Sequence, residues 1–224
     1  MSRQHFETLQ HTPVLSKADD LANIPMLWKV YTNLHIKRRD GGVEKWVREN
    51  SGNIKSRHED ESWRHTPLLK GYVELHNGFA DEKNIPSSCE VLMDLLFKRG
   101  TLPIINTFVD IYNVVSIVTG VSIGAHDTGN IVGNPRLEIL REDMSFKPIG
   151  GRGEGLARRG EYAYVDDGGP MCRMDIKQCD RTKITGKTTQ VLVIFQGHEG
   201  VGEDILRESI HRLDEALRRF RVVG

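Results

Sequence analysis

Three short polar side chains, Asn106, Asp110 and Asn113, interrupt an otherwise apolar segment at spacings of four and then three residues. On a helix that spacing puts all three on one face. Short polar groups inside an apolar element need hydrogen-bond partners, so the chain must fold something polar against that face. Either a neighbouring loop is satisfied there or the three line a site. For Asp110 and Asn113, bonding to backbone groups inside the core is at least as good an account. Asn106 is assigned more readily to a pocket.

The flanking sequence supplies the other elements. Thr66-Pro67 has the form of a cap followed by proline in the first turn, opening a helix whose Leu68, Tyr72, Leu75 and Phe79 form an apolar stripe. Pro86-Ser87-Ser88 starts another helix, through Leu92, Leu95 and Leu96, which Gly100 ends. Beyond Thr101 the chain is rich in Asn, Asp, Gly and β-branched residues. Arg136 to Arg141 alternates like a half-exposed strand, Glu161 to Val165 and Met171 to Met174 flank the turn Asp166-Asp167-Gly168-Gly169-Pro170, and Thr189 to Phe195 reads as a buried strand. The last helix carries Leu206, Ile210, Leu213, Leu217 and Phe220 on one side. Its arginines are interleaved with Glu208, Asp214 and Glu215, which reads as a solvated face. Towards the other end, Ile24, Leu27, Val30, Tyr31 and Leu34 fall near helical spacing with Asp40-Gly41-Gly42 as the stop, and the polar stretch Glu49 to Glu61 reads as a surface loop.

The balance of 31 basic and 31 acidic residues in 224 disfavours tight, sequence-independent binding to nucleic acid. Any such contact must come from a local patch, for which the loop Gly150 to Gly155 with Arg158 and Arg159 is a candidate. No apolar run is long enough to span a bilayer and the opening MSRQHFETLQH lacks a signal-peptide layout, so no membrane partner is expected and a cytoplasmic location is. Cys89, Cys172 and Cys179 match neither a redox pair nor zinc half-sites, and the histidines show no metal-ligand spacing. No metal or other cofactor is expected.

Arg99 to Asp127 resembles the B3/B4 domain of the phenylalanyl-tRNA synthetase beta subunit: Gly100, Ile105-Asn106, Val109-Asp110, Asn113, Gly120 and Asp127 fall on the order and spacing of that motif. Ser87 to Leu92, Gly160-Glu161-Tyr162, Cys172-Arg173 and Lys183-Ile184-Thr185 also resemble the short stand-alone proteins of that type, so the likeness spans roughly residues 63–197. It implies an α+β fold, a layered helix and sheet single domain with a mixed or mostly antiparallel sheet. A helical extension over residues 1–60 is expected to pack on a B3/B4-like domain over residues 61–224.

In the synthetase this domain resembles an editing module, which lets water cleave a misloaded aminoacyl ester at the tRNA end. The resemblance thus implies aminoacylated tRNA and its amino acid moiety as partners, and a deacylase in translation quality control. Two positions depart from the family. Its histidine falls at Gly124, while an imidazole stands two residues on at His126; its glutamate is replaced by Ile194. The catalytic candidates are His126 as a base for water, Asp127 orienting it, and Glu161, with Asp175 also available for chemistry. Asn106, Asp110, Asn113, Gly124, Ala125, Cys172 and Arg173 are the substrate-binding candidates, expected around one cavity. A non-catalytic module for tRNA or an amino acid, and a detached synthetase beta-like subunit, are the alternatives.

Overall fold

The structure is a computed structural model that describes residues 13–58 and 62–224. Residues 1–12 and 59–61, and with them the opening segment and the end of the expected surface loop, lie outside the described residues. Five helices are present: α1 (Gly41–Arg57), α2 (Pro67–Phe79), α3 (Ser88–Arg99), α4 (Thr107–Thr119) and α5 (Glu203–Arg219). The strands are β1 (Ser16–Lys17), β2 (Met26–Tyr31), β3 (Ser122–Asp127), β4 (Arg136–Ile139), β5 (Met144–Phe146), β6 (Gly155–Ala157), β7 (Tyr162–Asp166), β8 (Gly169–Arg173), β9 (Lys177–Gln178) and β10 (Val191–Gln196). They form a three-stranded antiparallel sheet in the order β2-β10-β3, a five-stranded sheet β1-β4-β7-β8-β9 with one parallel pair, β1 with β4, and the hairpin β5-β6. The expected α+β architecture with mixed and mostly antiparallel sheets is what the chain adopts.

The three-stranded sheet separates two apolar cores. All six residues of β10 are buried; Val191, Val193 and Phe195 face one core and Leu192 and Ile194 the other, as the period of two requires. The first core is filled by α1, α3, α4 and α5, through Val47, Leu96, Ile111 and Leu213 among others. The second lies between this sheet and the five-stranded one, with Tyr162, Tyr164 and Met171 opposite Leu192 and Ile194.

The helix starts follow the capping signals. Ser87 Oγ accepts from the Glu90 N–H at 3.1 Å and Gly100 closes α3 at φ 80°, a conformation that suits glycine. Pro67 stands in the first turn of α2 as expected, although Thr66 Oγ1 donates to the Trp63 carbonyl rather than capping the helix. Two expectations for the N-terminal part are corrected. The segment around Leu27 and Val30 is not a helix but β2, paired with β10 from Met26–Gln196 to Tyr31–Val191. Its apolar residues go to both sides, Leu27 and Tyr31 to one core and Met26, Trp28 and Val30 to the other, and a strand with two covered faces has no polar alternation to betray it. Asp40 begins a helix rather than ending one: its Oδ1 accepts from the Gly42 N–H at 3.0 Å and the Val43 N–H at 3.3 Å. The polar stretch from Glu49 to Arg57 is accordingly the second half of α1, which buries only Val43, Val47, Ser51 and Ile54. Lys29 and Tyr31 of β2 both donate to Asp214 of α5, at 2.7 to 2.8 Å, tying this strand to the last helix.

One side chain locks α2 to the central sheet. The fully buried Tyr72 hydroxyl donates to the Gln196 carbonyl at 2.6 Å and accepts from the Ser122 N–H at 2.9 Å. Tyr72→Phe leaves a buried carbonyl and a buried N–H without that partner. Thermal denaturation should register a loss of about 1–3 kcal/mol.

Candidate functional site

Period-two geometry points Ser122, Gly124 and His126 of β3 to the same side of the sheet, into the second core. The β10 register sets Gly124 opposite Ile194 and Ser122 opposite Gln196. These five residues, with Tyr164 of β7, Cys172 of β8 and Asp175 in the turn after β8, enclose an internal cavity. About 20 Å³ of it is open to the centre of a water molecule, room for a single water and little more. A Cβ built on Gly124 meets no atom within 4 Å, so the missing side chain is one reason for the opening. The two positions at which the sequence departs from the B3/B4 pattern, Gly124 and Ile194, are therefore cross-strand partners on one wall of one cavity. Larger depressions lie elsewhere, among them one of about 420 Å³ beside Trp46, Val118 and Arg212 and one of about 500 Å³ beside Gly71, Glu74 and His198. Neither holds a predicted site residue.

The cavity is polar on one side. Tyr164 Oη donates to Gln196 Oε1 at 2.6 Å, and Gln196 Nε2 donates to Tyr162 Oη at 2.9 Å. The Ser122 and Ser88 hydroxyls are bonded to each other at 2.6 Å. Asp175, with its carboxylate almost wholly buried, sits 2.5 Å from His76 Nε2 and accepts from the Ser88 N–H at 3.4 Å. His76 Nδ1 lies 2.9 Å from the Ile85 carbonyl. Both ring nitrogens thus face groups that only accept, which calls for an imidazolium against a carboxylate. Burial alone would push the His76 pKa down, but Asp175 and the Ile85 carbonyl raise it above its ordinary value. Burial likewise opposes ionisation of Asp175, and His76 prevails to hold its pKa low.

His126 is 1% exposed. Its Nδ1 lies 2.8 Å from Thr182 Oγ1 and 3.3 Å from Gln178 Nε2. Burial drives its pKa down to about 3, so the ring is neutral at physiological pH. Cys172 lines the cavity as a buried thiol, and burial raises its pKa well above the usual range, which leaves no thiolate to act as a nucleophile.

Of the residues expected around one cavity, Gly124, His126 and Cys172 are brought together and the others are not. Asn106 caps α4, its Oδ1 accepting from the Val109 N–H at 3.0 Å and its Nδ2 donating to the Ile184 carbonyl at 3.4 Å. Asp110 accepts from the Ile105 N–H at 2.7 Å, and burial raises its pKa to about 6. Asn113 is buried on the same helix away from the cavity lining. Ala125 points to the opposite core. Asp127 closes the turn after β3, accepting from the Gly129 N–H at 3.0 Å and the Thr188 hydroxyl at 2.6 Å. Glu161 is held by Arg173 through two bonds of 2.6 and 2.7 Å and accepts from the Arg158 N–H at 3.0 Å. Burial would raise the pKa of Glu161, but Arg173 outweighs it and keeps the carboxylate ionised. Asn106, Asp110, Asp127, Glu161 and Arg173 are occupied with hydrogen-bond or ion-pair partners, and none of them lines the cavity. Ser122, Tyr164, Gln196 and His76 went unnoticed in the sequence. The period of two running Ser122, Gly124, His126, and the glutamine that ends the apolar run Val191 to Phe195, were the available signals for two of them.

The His76–Asp175 pair makes stability pH dependent. The raised pKa of His76 gives stability that is complete below the ordinary histidine value of about 6.5 and is lost as pH rises through the folded-state value. The lowered pKa of Asp175 gives stability present above about 3.9 and lost as pH falls through its folded-state value. Denaturant unfolding should show stability from this pair greatest between about pH 4 and 6.5. Asp175→Ala, which strands a buried imidazolium, is expected to cost about 3–5 kcal/mol within that window and to flatten the alkaline slope.

A family model described as the B3/4 domain matches residues 78–220. Among solved structures, an N-terminal fragment of the phenylalanyl-tRNA synthetase beta-subunit from Pyrococcus horikoshii has a similar fold, with a TM-score of 0.53 and 11% sequence identity over 94% of this chain. The chain spans half the length of that fragment. No curated protein matches it.

Proposed function

The chain belongs to the B3/4 domain family, and from that premise we propose that it binds the aminoacylated end of a tRNA and promotes hydrolysis of the ester, acting in trans on mischarged tRNA in the cytoplasm. The observation that carries this reading is the Gly124 cavity, a small and mostly apolar opening in the second core bordered by a carboxylate, hydroxyls and an imidazole. An aminoacyl ester is already activated, so holding water in line and offering donors to the developing oxyanion suffice without a nucleophilic side chain. The inert Cys172 and the ion-paired Glu161 agree with such a scheme.

An amino acid does not fit the present 20 Å³, so entry requires a lining side chain to move. Tyr164 is the largest of them, its hydroxyl bonded to Gln196 Oε1 at 2.6 Å and to Met26 Sδ at 3.6 Å. The departures at Gly124 and Ile194 favour a second reading, a non-catalytic module that engages tRNA or a free amino acid without turning it over.

The test is release of amino acid from a panel of aminoacyl-tRNAs by the purified protein. Release above the spontaneous rate for at least one is expected, and none from the whole panel ends the hydrolase reading. A thermal shift with tRNA or amino acids in that event would support the binding module, and no shift would remove it as well. Gly124→Leu is expected to abolish release by filling the cavity, at an overpacking cost of about 1–3 kcal/mol, while Gly124→Ala, whose methyl enters open space, keeps the fold.

A further inference from the structure

We infer that His126 serves this cavity as a hydrogen-bond donor, offering Nε2–H to the carbonyl oxygen of the bound acyl group, and not as the base for water. The inference rests on the reading of the cavity as an acyl-ester site, but its geometry is independent of that reading.

The tautomer follows from the neighbours of Nδ1. The side-chain amide nitrogen of Gln178 lies 2.6 Å from the Ala125 carbonyl and 3.4 Å from the Thr182 carbonyl. Two acceptors fix which end of the amide faces them, since its oxygen would be repelled by both. That same nitrogen, a donor only, stands 3.3 Å from His126 Nδ1. A lone pair on Nδ1 suits both neighbours: it faces this donor-only nitrogen, and it can accept from the Thr182 hydroxyl at 2.8 Å, which in turn lies 3.2 Å from the Cys179 thiol. A neutral imidazole whose Nδ1 accepts carries its proton on Nε2. Protonating Nδ1 would set two donors against each other, which joins burial in keeping the ring neutral.

Nε2 has no hydrogen-bond partner among the described residues. The residue is 1% exposed and lines the cavity, while the Thr182 and Gln178 that hold Nδ1 are absent from the lining. The unpartnered N–H is thus the edge of the ring turned to the cavity. Leaving such a donor unmatched in a protein interior is costly, and buried polar groups of this kind ask for an acceptor. In hydrolysis that acceptor is the ester carbonyl. Water oxygen bonds to the carbonyl carbon, negative charge grows on the carbonyl oxygen against Nε2–H, and the acyl C–O bond to the ribose then breaks. The ribose hydroxyl leaves with one proton derived from the water, the amino acid departs as its carboxylate, and the second proton of the water passes to solvent. His126 neither gains nor loses a proton.

Histidine-selective ¹⁵N spectra of the full-length chain, with His126→Gln as the assignment control, test the tautomer directly. The expected result is Nε2–H with no protonation from pH 8 to pH 5, and an Nδ1–H tautomer or an imidazolium near pH 7 would overturn the donor. In the deacylation assay, His126→Phe should lower the rate about 10²–10³-fold, as removal of one oxyanion donor does, and His126→Gln, which keeps an N–H, should restore part of it. The unmodified protein should show no histidine-like limb in its pH–rate profile. Equal loss in the Phe and Gln variants, with both folded, would also overturn the donor. An Nε2–H tautomer in a protein that releases nothing from any aminoacyl-tRNA overturns the ester as the acceptor and the proposed hydrolysis with it. Hydrolysis by a protein with the Nδ1–H tautomer overturns only the donor.

Discussion

Everything in this molecule is arranged about β10. Its six residues are buried, it is hydrogen-bonded on both edges, and its alternating side chains reach two cores that otherwise share little. A strand covered on both faces must be apolar throughout, and its position then decides which face of each neighbouring strand belongs to which core. Because β3 is in register with it, Ile123 and Ala125 go to the helical side and Ser122, Gly124 and His126 to the side shared with the five-stranded sheet. The cavity exists where this second face meets Tyr164 and Cys172, and where Gly124 and Ile194 together leave the wall without a polar or bulky side chain.

The polar groups of the candidate residues fall into two kinds, closed and open. Glu161 with Arg173, and Asp110 with the Ile105 N–H, are closed arrangements in which donors and acceptors already match. His76 with Asp175 is also closed, yet its carboxylate borders the cavity and carries charge into a place where the effective dielectric is low. His126 differs from both, with one nitrogen firmly held and the other open. This division explains how a neutral, ordinary composition holds a reactive-looking set of residues of which few are available for chemistry.

Helix signals carried from sequence to structure at Ser87 and Gly100, whereas Thr66, expected to cap α2, does not. The same vocabulary misled at Asp40, because Asp-Gly-Gly marks a boundary without saying which side of it is helical. Strand β2 was hidden for a different reason: Leu27, Val30 and Tyr31 fit a helical spacing as well as a two-sided strand, and the partner that decides between them, β10, lies at the far end of the sequence, Tyr31 pairing with Val191. For the site, Asn106 and Asp110 have backbone partners at α4's own beginning and in nearby loops, the alternative the sequence offered for Asp110 and not the pocket expected for Asn106. The family resemblance picked out Gly124 and Ile194 as a pair of departures. That they touch one cavity from facing strands lay in the pairing register, which no local pattern contains.

The long reach of β2 bears on what counts as the unit of folding. The family match begins at residue 78, after β2 and α1, yet β2 supplies one of the two hydrogen-bonded edges of β10. A fragment cut to the family limits would expose Val191 to Phe195 as a long, uncharged, unprotected sheet border, the kind of surface that recruits strands from other molecules. Strand β2 thus covers an edge that would otherwise be open to other molecules, and it does so through a pairing of great sequence separation.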